Sequence, residues 1–217
     1  MKKLKDLKLG SYFRELSIVI IGVTVTLFAG NVISHISEKK EARTQLNNVY
    51  SELEGNLLRV GQLMDYYEKR QQLSDFLWDY HKHPEKKLDD ETYSRYNAIL
   101  NEKYSFNYRK GAYDSFITGG GMKLLKNKTF LLDIAECYEM MEEIKSGHDQ
   151  LMELRLNQFS RLYDNDINFI VKSHKISDPR VRGVFNFYML TGEDRSDIRN
   201  LKEHIERVLS RAVSENK

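Results

Sequence analysis

Few residues in this chain have the type and spacing to carry chemistry. His81 and His83 are the one close histidine pair. Two positions apart on a helix they point to different faces, whereas imidazoles that share a metal are spaced three or four apart. They read as surface histidines, and no metal site is expected. Cys137 is the single cysteine, which excludes an intramolecular disulfide and any multi-cysteine zinc site. It falls between Ile134 and Tyr138 on a helical face, the position of a packed thiol rather than of a nucleophile. Glu142-Glu143 belong to a solvated helix face. No serine-hydrolase elbow, kinase motif set or HExxH signature occurs, so an enzyme has no sequence support. No catalytic residue and no cofactor is assigned.

Gly119-Gly120-Gly121 is the only glycine cluster. A phosphate-cradling loop needs the Walker spacing, or a dinucleotide fingerprint after a strand. Neither is present, and the cluster reads as a sharp turn between helices. Lys123, Lys126 and Lys128 follow directly, so Gly120, Gly121 and these three lysines are the candidate anion or ligand site.

The elements that position these residues are helices. Only Pro84 and Pro179 interrupt the chain, and the turn signals of an all-β fold are missing. Hydrophobic residues make up 41% and charged residues 30%, the balance of a folded chain. The mean hydropathy of −0.58 conceals one exception. From Leu16 to Ser34 the chain reads LSIVIIGVTVTLFAGNVIS, nineteen residues without a charge. A helix of that length spans roughly 28 Å, close to the hydrocarbon thickness of a bilayer. A cleaved signal peptide has a shorter apolar core, a buried core helix is amphipathic, and an interfacial helix has a charged face. The run matches a retained spanning helix, with Tyr12 and Phe13 at an interface position.

Charge sets an expected orientation. Residues 1–15 carry five basic and two acidic side chains, leaving the remaining chain one short of neutral. Lys39, Lys40 and Arg43 flank the other side, so a cytoplasmic N-terminus is favoured. A near-neutral body argues against nucleic-acid binding driven by bulk charge and leaves room only for a local patch.

The apolar helix has two faces. Ser17, Thr24 and Asn31 are seven apart and form a polar stripe. Gly22, Thr26 and Gly30 are four apart, a small-xxx-small face that lets a second helix approach. Beyond it Leu46, Tyr50, Leu53, Leu57, Val60, Met64 and Tyr67 follow 4-3 spacing, a heptad seam. Pro84 ends this stalk. Helical patterns return at 90–103 and 111–118, and a second long helix is expected from Asn127 to Lys172. Its apolar face includes Leu131, Ile134, Tyr138, Met141, Ile144, Leu151, Phe159 and Leu162. Asp178-Pro179 opens a shorter helix carrying Val181, Val184, Phe185, Phe187 and Tyr188. Thr191-Gly192 closes it, and a last amphipathic helix presents Ile198, Leu201, Ile205, Val208 and Ala212.

The run SIVIIGVTVTLFAGNVISHISEKKEART, together with Tyr113-Asp114-Ser115-Phe116-Ile117, Gly119, Gly120, Leu124, Leu125, Leu131 and Tyr138, resembles a domain-of-unknown-function family of bacterial single-pass membrane proteins. The chain departs from that pattern in carrying two threonines in the apolar helix and no aromatic shortly after Asn31. The resemblance implies a bacterial inner-membrane location and an architecture; it implies no activity and no site residue.

The expected organisation is all-α: a basic tail at 1–15, a transmembrane helix at 16–34, a helical stalk at 35–82 and an antiparallel helical-bundle domain at 83–217. The expected function is an oligomeric membrane effector of three to five chains. Its helical body senses a small-molecule or oligonucleotide ligand or a protein partner and alters membrane-helix packing, as a pore-forming or membrane-disrupting device in envelope stress or phage defence. The rival is a non-conducting membrane-anchored scaffold that recruits a protein partner. Membrane lipid and further copies of the chain are the expected partners of both.

Overall fold

The computed structural model describes residues 3–158, 166–190 and 195–215. Among them the chain forms eight α-helices and no strand. The protein is all-α. The helices are α1 (Lys3–Lys82), α2 (Asp90–Asn101), α3 (Gly111–Thr118), α4 (Gly121–Leu124), α5 (Lys128–Gln158), α6 (Ile167–Ser173), α7 (Pro179–Leu190) and α8 (Ser196–Glu215).

Their ends follow local chemistry. α1 stops two residues before Pro84, because the residue preceding a proline is driven out of the helical region. Asp89 caps α2 by accepting from Thr92 N at 2.7 Å, with Asp90 and Glu91 in the first turn where the helix dipole favours negative charge. Pro179 opens α7, where its missing N–H costs nothing. One expected element divides. The helix expected over 127–172 is described as α5 up to Gln158 and as α6 from Ile167, and it is interrupted at Asp166. Asp166 takes an extended conformation there, and its carboxylate accepts from Asn168 N at 2.7 Å. Phe159, Leu162 and the Thr191-Gly192 turn lie outside the described residues.

The chain divides into two compact units. The first contains the described residues up to Val49 with Ala112–Lys126, the second Tyr50–Gly111 with the described residues from Asn127 on. In the first, Ala42, Val49 and Phe116 are buried. The second contains residues 50–82 of α1, so this expected stalk segment is a core helix of the body.

Two layers of packing make that body. Leu73, Leu77 and Tyr80 of α1 pack with Leu100 of α2, Ile167 and Ile170 of α6, and Phe185 and Tyr188 of α7. α5 lies antiparallel to α8. His204 Nε2 bonds Asp133 O at 3.1 Å and Arg211 pairs with Asp133 near one end, while Arg195 lies in the field of His148 near the other. The apolar stripe Ile198, Leu201, Ile205, Val208 and Ala212 is buried in full, as its spacing requires.

Candidate functional site

The site starts from a second stripe on α1. Leu53, Val60 and Tyr67 of the expected seam are buried, but Leu46, Tyr50, Leu57 and Met64 are only half-buried. The row that completes the buried face is Val49, Asn56, Leu63, Arg70 and Leu77, also seven apart. Two of its members are polar, and both face a segment without regular structure.

That segment, residues 102–110, joins α2 to α3, and side chains of α1 and α5 satisfy its backbone. Asn56 grips Arg109 twice: Nδ2 donates to Arg109 O at 2.7 Å, and Oδ1 accepts from Arg109 N at 2.8 Å. Arg59 donates to Asn107 O at 2.6 Å, and the Tyr104 hydroxyl donates to Arg59 O at 3.2 Å. Phe106 is fully buried beneath the segment. A buried irregular segment is tolerable only when its polar backbone groups find partners, and here side chains supply them.

At its start stand two arginines. Arg70 Nη2 donates to Glu102 O at 3.0 Å, and Arg155 Nη1 donates to the same oxygen at 2.9 Å. Both also reach Leu100 O. These carbonyls belong to the last turn of α2 and the residue after it, where no helical N–H remains to satisfy them, and cationic donors suit the negative end of the helix dipole. Arg70 Nε donates to the Tyr66 hydroxyl at 3.2 Å, and its guanidinium lies 5.2 Å from the Tyr66 ring centroid. Burial, then the neighbouring Arg155 charge, draw the Arg70 guanidinium below its ordinary value, against the pull of Tyr66.

Beside them runs an aromatic network. His148 Nε2 meets Tyr104 O at 3.0 Å, and Nδ1 meets the Tyr67 hydroxyl at 3.0 Å. A carbonyl only accepts, so Nε2 carries the proton and Nδ1 accepts from Tyr67. Burial holds His148 below its usual range and raises the Tyr67 phenol, which Arg195 opposes from 4.4 Å over the ring. Tyr66, Tyr67, Arg70, Leu151, Met152, Arg155, Phe187 and Tyr188 line one half-open cavity of this unit. A larger open cleft runs past Phe76, Tyr96 and the 86–89 segment, but its Lys86, Lys87 and Arg95 face Asp79, Asp89 and Glu91 and leave no net field.

The apolar run of α1 is exposed throughout in the single chain, and α1 is long and apolar enough to cross a membrane. The hydroxyls of Ser17, Thr24 and Thr26 donate to the carbonyls four residues back, Phe13, Ile20 and Gly22, at 2.7–2.8 Å. Asn31 makes no such bond among the described residues. Nothing lies within 4 Å of a Cβ built on Gly22 or Gly30, so that face is open.

The glycine cluster forms a turn, with Gly120 at φ +76° and Gly121 against the Phe116 ring. Lys123, Lys126 and Lys128 are exposed. α4 is too short to offer an anion a helix dipole. Cys137 is buried, with its thiol pushed up to about 12 by desolvation, a packing residue. Among the described residues no group of three metal-ligating side chains assembles.

Asn56, Arg70, His148 and Arg155 escaped the sequence reading. The signal for the first two was the heptad row they share with Val49, Leu63 and Leu77; no periodic signal distinguishes the other two. In comparisons with known protein families, curated proteins and solved structures, nothing matches this chain.

Proposed function

We propose that the chain is an oligomeric single-pass membrane protein of the bacterial inner membrane, N-terminus in the cytoplasm, whose helical body controls the packing of its membrane helices. One observation carries this reading: α1 bears both the uncharged exposed run Leu16–Ser34 and the residues Tyr66, Tyr67 and Arg70 that line the body's cavity. A change in what the cavity holds therefore acts on the helix that enters the bilayer. Asn31 supports an assembled state. Its amide lies in an apolar run with no partner of its own among the described residues, and in lipid it bonds a neighbouring copy or water in a lumen.

The test is conductance of liposomes carrying the purified chain, beside its mass in detergent. The effector reading expects oligomers of three to five chains and ion leakage. A monomer at micromolar concentration, or tight liposomes under every condition in which the protein is assembled, defeats it. The bonding of Ser17, Thr24 and Thr26 to their own helix favours the second reading, a non-conducting scaffold, because a lone anchor also satisfies its hydroxyls in this way.

A further inference from the structure

Two positive charges lie together in the helical body without a negative partner. Arg70 and Arg155 are each 6% exposed, and both bond the same Glu102 carbonyl. Neither joins an ion pair among the described residues. The neighbouring acids are engaged elsewhere: the Glu102 carboxylate with Lys69 at 2.7 Å, and Asp197 with Arg195 at 2.8 Å. The end of α2 offers the equivalent of about half a negative charge. Two full positive charges face it, and buried charge that stays uncompensated is strongly disfavoured.

The two side chains also keep donors in reserve. Arg70 Nη1 and Arg155 Nε make no hydrogen bond among the described residues, although a guanidinium carries five N–H donors. Both arginines line a half-open cavity, together with Tyr66, Tyr67, Phe187, Tyr188, Leu151 and Met152. Its volume is about 20 Å³, space for one guest of water size. That volume suits one small ion better than phosphate, sulfate or a nucleotide.

We propose that this cavity binds a single monovalent anion of halide size, chloride or bromide, held by Arg70 and Arg155. The inference goes beyond the membrane reading and stands whether or not α1 spans a bilayer. Burial and the Arg155 charge both weaken the hold of Arg70 on its proton, the direction that a resident anion reverses. In the resting protein the site is electrostatic glue between α1, α5 and the end of α2.

The full chain, purified in a non-ionic detergent and equilibrated in sodium gluconate, is titrated with chloride, bromide or sulfate at constant ionic strength. Thermal unfolding and the chloride-35 linewidth are read together. The expected result is a saturable rise in Tm with chloride and bromide but not with sulfate, and excess linewidth that bromide competes away. Arg155→Met removes both effects. If that variant does not fold, Arg70→Lys, which keeps the charge but loses the planar fork, shows at least a several-fold loss of excess linewidth. Equal Tm in gluconate and chloride with no excess linewidth overturns the proposal, leaving a cavity that holds water only. Sulfate acting as strongly as chloride overturns it, as does undiminished excess linewidth in both variants.

Discussion

Protonating His148 would leave the Tyr67 hydroxyl facing a donor instead of an acceptor. The ring is buried, with Tyr104 O on one nitrogen and Tyr67 on the other, and the charges around it are Asp149, Lys145 and Arg195. Burial dominates, so the folded value lies below the ordinary 6.5. The unfolded chain then takes up the proton first as pH falls. The stabilisation is complete above about pH 6.5 and is lost as pH drops through that value toward the folded one, with a slope of up to about 1.4 kcal/mol per pH unit. Urea unfolding between pH 7.5 and 5.5 should show this slope, and His148→Gln, which can still donate to Tyr104 O, should flatten it. Asn56 offers a second prediction. Asn56→Leu keeps the volume but strips both partners from the Arg109 backbone, at a cost of roughly 2–5 kcal/mol for two buried groups left unsatisfied. Denaturant midpoints of the variant and the parent check it; a change under 1 kcal/mol, on the order of one ordinary hydrogen bond, would show that water replaces the amide.

Elements were legible where side chains advertise a period. α8 reads from its sequence because Ile198, Leu201, Ile205, Val208 and Ala212 are all apolar, and all five are buried. α1 reads only in part. Leu53, Val60 and Tyr67 identify one buried row, but the other contains Asn56 and Arg70, which a count of apolar residues assigns to solvent. Their burial depends on the backbone of residues 102–110, which no helical period announces. The break before α6 was hidden for a different reason: the run across it stays compatible with a helix, and Asp166 acts as a cap only through its extended backbone. The glycine turn was legible in kind, and its two central residues differ in tolerance. At Gly121 a Cβ would stand 2.2 Å from the buried Phe116 ring. Gly121→Ala should cost about 1–3 kcal/mol through overpacking. At Gly120 the left-handed φ, not space, is the obstacle, and Gly120→Ala should cost about 1–2 kcal/mol. Thermal unfolding of the two variants checks both values, and a companion Phe116→Leu change should partly rescue only Gly121→Ala.

For the whole molecule, the decisive comparison separates assembly from conduction. Asn31→Leu removes the amide from the membrane run without opening a void. An assembled pore should keep its mass in detergent and lose conductance, since a ring of leucines at that depth excludes water. A scaffold should be unaffected or slightly tighter, because such interhelical bonds are worth only about 0.6–2 kcal/mol. Gly30→Leu fills the open small-residue face and should weaken assembly under either reading. Unchanged leakage from Asn31→Leu liposomes, where the parent leaks, would remove the polar stripe from the conduction path.

The segment from Glu102 to Lys110 has no regular structure, yet the side chains of Asn56, Arg59, Arg70, His148 and Arg155 hold its backbone at four residues, Glu102, Tyr104, Asn107 and Arg109. Irregular shape is therefore not looseness here. A protease must draw several residues into an extended strand in its own cleft, which here means surrendering those bonds together. Lys103, Arg109 and Lys110 are exposed and chemically eligible for trypsin, but Lys86 and Lys87 lie in a connection whose only internal backbone bond is from Lys86 N to His83 O, at 3.1 Å. Of these two connections, the one that follows Pro84 should be nicked first, and the longer one should survive until the body itself unfolds.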